Sequence, residues 1–127
     1  MNIQFRFLLV LILSFLCGEG GLWAAPFTMP EKMEDLMANY CFDCHDDETK
    51  KGEVRLDNLA TLALKDRLDL LNRVQEQIFI KEMPPKKRKA KPNDSEREQL
   101  YDWMTAELRK HKASRFEEKL RYPSYGN

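Results

Sequence analysis

Apolar residues recur at helical spacing in three stretches of the chain, and nowhere do they alternate convincingly with polar ones. The first stretch covers residues 30–40, where Met33, Leu36, Met37 and Tyr40 fall at i, i+3, i+4 and i+7. Pro30 suits an early helical position, and Glu31, Glu34 and Asp35 complement the positive end of the helix dipole. Cys41 and Cys44 continue the apolar stripe, which places them at the C-terminal end of this helix on its buried face. A polar loop is expected over 46–64, turning at Lys51-Gly52. The second helix is predicted over 65–81, with Leu68, Leu71, Val74 and Ile78 on one side, and Pro84-Pro85 stops it. A residue before proline disfavours the helical region, so Met83 is pushed out of helical geometry. The third helix is expected to open at Ser95, with Glu98 completing a capping box, and to carry Leu100, Trp103, Met104 and Leu108 inward. Three helices without strands predict an all-α domain over 26–112, followed by a charged tail over 113–127.

The N-terminal residues follow a different pattern. Arg6 precedes an unbroken apolar run from Phe7 to Leu16, ended by Gly18-Glu19-Gly20-Gly21. A run of about ten residues is half of what a bilayer span needs, and it fits the core of an export signal. Residues 1–25 are therefore expected to be a signal peptide, cut after Ala24 or Gly20, and the protein is expected in the periplasm. Membrane attachment would require that the signal stay uncleaved. A lipid anchor on Cys17 is disfavoured by the bulky Leu16 before it.

The balance of 21 Lys+Arg against 21 Asp+Glu in 127 residues argues against a general nucleic-acid binder. Only His45 and His111 are available as imidazoles. If Cys17 leaves with the signal, the mature chain keeps Cys41 and Cys44, with His45 directly after them.

Cys41-Phe42-Asp43-Cys44-His45 fits C-x-x-C-H, the signature for covalent haem attachment. Two thiols one turn apart reach the two vinyl groups on one porphyrin edge, and the next residue brings its imidazole to the iron as proximal ligand. Other uses of the pair fit less well. A thioredoxin-like dithiol belongs at a helix N-terminus, where the dipole stabilises a thiolate. Structural zinc needs four ligands, and the distant His111 completes the set poorly. A disulfide across so short a spacing is strained.

A thioether as sixth ligand raises the reduction potential and suits electron transfer. Met83 is the candidate, because it follows a helix, is held by Pro84-Pro85, and is far enough along the chain from His45 to reach the opposite face of the ring. Met33, Met37 and Met104 lie on regular apolar helix faces and read as packing residues, and His111 reads as solvated. No proline lies between His45 and Pro84, so the sequence names no carbonyl to orient the imidazole.

With these pieces in place, the chain resembles the small cytochrome c domain of planctomycetes and related bacteria, within the class I cytochromes c. The residues that carry the resemblance are Tyr40 to His45, Lys51-Gly52-Glu53-Val54-Arg55-Leu56-Asp57, Met83-Pro84-Pro85 and Leu100-Tyr101-Asp102-Trp103-Met104. The resemblance implies three main helices around one haem c, thioether links at Cys41 and Cys44, His45 proximal and Met83 distal. The short polar span before the second helix departs from the Gly/Pro-rich stretch common in that family.

The function expected is a monohaem single-electron carrier, free or as a subunit of a periplasmic redox enzyme, with no catalytic residues of its own. Lys86, Lys87, Arg88, Lys89 and Lys91 directly follow Met83 and could steer an acidic redox partner, although a solvated loop is an equal reading of such a run. Two alternatives stand beside the carrier: a haem sensor or peroxidase-like site with a labile sixth ligand, and a haem-free thiol oxidoreductase.

Overall fold

The computed structural model describes residues 26–115, so the predicted signal over 1–25 and most of the charged tail lie outside the described residues. Three helices form the frame: α1 (Glu31–Tyr40), α2 (Leu64–Phe79) and α3 (Asp94–Lys110). Single turns of 3-10 helix occur at Phe42–Cys44, Lys51–Glu53 and Leu59–Thr61, and no strand is present among the described residues. The fold is all-α, as the periodicity predicts. No helix among the described residues is long and apolar enough to cross a membrane.

Leu71 and Ile78 of α2 share one buried cluster with Leu100, Met104 and Leu108 of α3 and with Met33, Leu36 and Met37 of α1. The packing reading of Met33, Met37 and Met104 therefore holds. A polar bond also joins α2 to α3, since Gln75 Nε2 donates to Thr105 Oγ1 at 2.7 Å in the fully buried interior. The segment between α1 and α2 is less polar in role than its composition indicates. Leu56 and Leu59 are 3% and 1% exposed and complete the core from a loop. Ahead of α1, Phe27 lies between the Trp103 ring at 6.5 Å and the Arg67 guanidinium at 4.3 Å.

The helix ends depart from expectation in two places. α3 opens two residues earlier, on a capping box of Asn93 and Glu96 rather than Ser95 and Glu98. Asn93 Oδ1 accepts from the Glu96 amide at 2.9 Å, and Glu96 Oε2 accepts from the Asn93 amide at 2.9 Å. Pro92 ends the preceding loop at that point, and asparagine is at least as strong a cap as serine. α2 stops at Phe79 rather than Lys81, because Lys81 turns into the left-handed region with φ 59° ahead of the prolines. Past α3, Asn72 holds the start of the tail by donating to the Ala113 carbonyl at 2.8 Å and accepting from the Arg115 amide at 2.9 Å.

Candidate haem cleft

The C-terminal end of α1, the loop behind it, one face of α2 and the segment after α2 enclose a cleft of about 330 Å³. That size is in the range of small-molecule and cofactor pockets. Cys41, Cys44, His45 and Met83, the four candidate site residues, all line it. Leu56, Leu70, Val74, Ile78 and Pro84 supply an apolar wall, as burial of a flat apolar macrocycle requires. His111 lies elsewhere, at the end of α3, with Nε2 3.7 Å from Glu107 Oε1.

Local backbone geometry sets the motif. α1 ends at Tyr40, Cys41 caps it with its amide on the Met37 carbonyl, and the 3-10 turn Phe42–Cys44 carries the chain round to His45. Both cysteines are free thiols and half-buried. Burial pushes the Cys41 thiol up to about 11, against the opposing pull of Arg88 and Arg97. A thiol held protonated at neutral pH is the reverse of the low-pKa thiolate that dithiol redox chemistry uses. Among the described residues, no group of three or more His, Cys, Asp or Glu side chains is placed to hold a metal ion.

The acceptor for the His45 imidazole, which the sequence does not name, is the Val54 carbonyl, 3.1 Å from Nδ1. A carbonyl can only accept, so the proton belongs on Nδ1 and Nε2 keeps the lone pair that an iron ligand needs. The Leu56 amide donates to the His45 carbonyl at 2.7 Å, so one short segment grips both the ring and the backbone of His45. That segment follows a tight turn in which Lys50, Gly52 and Glu53 adopt φ of 39°, 65° and 56°. The Lys51-Gly52 turn expected from sequence is present, and it leads directly into Val54, whose carbonyl meets the imidazole.

Met83 is outside helical geometry and 38% exposed, unlike the three core methionines. Its amide donates to the Gln77 carbonyl at 3.3 Å. The basic run after it divides in two. Arg88 lines the cleft and pairs with Asp43, inside the Cys-x-x-Cys loop, at 3.0 Å. Lys91 folds back on the Lys86 carbonyl at 2.6 Å. The side chains of Lys86, Lys87 and Lys89 are exposed to solvent. Tyr40 also lines the cleft, and its hydroxyl donates to Glu96 Oε2 at 3.1 Å, a bond that holds the phenol above its usual pKa and ties α1 to α3.

Residues 41–87 match the family model described as planctomycete cytochrome C, in agreement with the resemblance read from the sequence. The match begins at the first motif cysteine and ends just past Met83-Pro84-Pro85, so it spans the four candidate site residues. No curated protein and no solved structure matches the chain.

Proposed function

We propose that the chain is a monohaem c-type cytochrome carrying single electrons in the bacterial periplasm, with haem c bonded through sulfur to Cys41 and Cys44. His45 is the proximal ligand and Met83 the distal one. The observation that carries this reading is the imidazole geometry. His45 directly follows the second motif cysteine, lines an apolar cleft, and has Nδ1 committed to the Val54 carbonyl at 3.1 Å. When bound, the haem supplies the redox-active iron, and the chain supplies everything that tunes it. Cys41 and Cys44 fix the ring edge, the Val54 carbonyl orients the imidazole and raises its basicity, and Leu70, Val74 and Ile78 exclude water.

No acid, base or nucleophile is asked to act, which separates the carrier from an enzyme. The carrier also accounts better for Cys41 than a thiol oxidoreductase does, given the upward displacement of that thiol to about 11. Export by the 1–25 segment would bring the chain to the compartment where covalent haem attachment and extracytoplasmic electron transfer take place.

The test is expression in a cytochrome-assembling bacterium. The expected product stains for haem after denaturation, has one iron per chain, and shows the near-infrared band of a methionine–ferric bond. Bare thiols by mass spectrometry would overturn the assignment. A covalent haem with a high-spin ferric spectrum would replace the carrier with the sensor or peroxidase reading.

A further inference from the structure

Arg97 belongs to the second turn of α3, yet its guanidinium reaches away from its own helix. Nη1 donates to the carbonyl of Ile78 at 3.0 Å and to that of Met83 at 2.9 Å. Ile78 lies in the last turn of α2, where the dipole is negative, and its carbonyl otherwise accepts from the Lys81 amide at 3.3 Å, so a cation there is favoured. The Met83 amide is meanwhile held by the Gln77 carbonyl at 3.3 Å. Met83 is thus gripped on both sides of its backbone, from α2 through the N–H and from α3 through the C=O. One nitrogen joins the end of α2 to the loop that follows, which fixes the length and direction of that loop. A second link on the same loop, Lys81 to Asp94 at 3.0 Å, has side chains 64% and 91% exposed, and such pairs contribute little.

We infer that Arg97 is a positioning residue for Met83, holding the thioether over the cleft so that it competes against other ligands for the sixth position. This rests on the reading of Met83 as distal ligand. Charge-assisted hydrogen bonds to the Met83 loop are lost when Arg97 is neutralised, and each is worth enough to shift an equilibrium by about tenfold. Arg97→Lys keeps the charge but loses the rigid planar donor, so its effect falls between those of wild type and Arg97→Gln.

The experiment uses the full chain with haem attached, as wild type, Arg97→Gln, Arg97→Lys and Lys81→Ala. It reads the near-infrared methionine–ferric band and the affinity of ferric protein for added imidazole. Expected are a weakened band and roughly tenfold tighter imidazole binding in Arg97→Gln, with Lys81→Ala at wild-type values. A double-mutant cycle separates positioning from bulk stability. In a Met83→Ala background, Arg97→Gln should leave imidazole affinity unchanged, because no thioether remains to be held. An Arg97→Gln effect that persists in that background overturns the inference, as does a wild-type band with imidazole affinity within twofold of wild type. If Arg97→Gln does not accumulate with haem, Arg97→Lys carries the same reading, and wild-type values there overturn it. A missing band in the wild type removes the Met83 assignment and this inference with it.

Discussion

Replacing Gly52 by alanine isolates the cost of the turn that aims the His45 acceptor. Gly52 has φ 65° and ψ 29°, a left-handed conformation in which a side chain on an L-residue costs about 1–2 kcal/mol. A Cβ built there meets no atom within 4 Å, so no steric clash adds to the backbone cost. Alanine also narrows the unfolded ensemble, which returns about 0.5 kcal/mol. The net loss is about 1 kcal/mol, or roughly a 5 °C fall in Tm for a domain of this size. Glu53→Gly is the mirror experiment. Glu53 sits at φ 56°, and relief of its strain offsets the larger unfolded-state entropy of glycine, so Tm should hold or rise slightly. Thermal melts of the haem-loaded protein by far-ultraviolet circular dichroism read both variants. An unchanged or raised Tm in Gly52→Ala would refute the argument, because it would mean that the folded chain does not need a left-handed residue at this position.

Three further outcomes follow from the packing and charges. Leu71→Ala, at a fully buried position on α2, should cost about 2–5 kcal/mol in denaturant unfolding, whereas the exposed Leu64 should tolerate the same change. The Asp69 carboxyl is held below the ordinary aspartate range by Lys65 and then Arg115. A depressed folded-state pKa contributes stability that is present above the unfolded value and disappears as pH falls through the folded one. Acid unfolding of Asp69→Asn should therefore show a shallower loss below about pH 4 than wild type, and parallel curves would dismiss the linkage. Replacing Lys86, Lys87 and Lys89 together by glutamate should slow reduction by an acidic partner at low ionic strength and converge on wild type at high salt. Equal rates at low salt would reduce these lysines to solvated surface.

Legibility from sequence tracked whether a function was carried by a side-chain pattern. The apolar faces of α1, α2 and α3 repeat every three to four residues, so helix type and most of the core could be read directly. Leu56 and Leu59 have no period to announce them and were hidden in a polar stretch. Two capping boxes are written two residues apart, at Asn93 with Glu96 and at Ser95 with Glu98, and the one directly after Pro92 is used. Spacing marks the motif cysteines and His45, the helix end and Pro84-Pro85 mark Met83, and all four line one cleft. The group that orients His45 is a backbone carbonyl, which no residue type can signal. Arg97 was hidden for a related reason, since a charged residue on a helix next to acidic neighbours reads as solvated until its carbonyl partners are seen.

The bond between Val54 and His45 spans nine residues, and the guanidinium bridge to Met83 spans fourteen and comes from α3. The imidazole side of the cleft is thus encoded almost entirely between α1 and α2. The Met83 side is completed by Arg97 of α3, and Asp43 with Arg88, 45 residues apart, links one side to the other. Each side of the cleft is therefore held by a different partner: the Val54 segment on the His45 side, and α3, through Arg97, on the Met83 side.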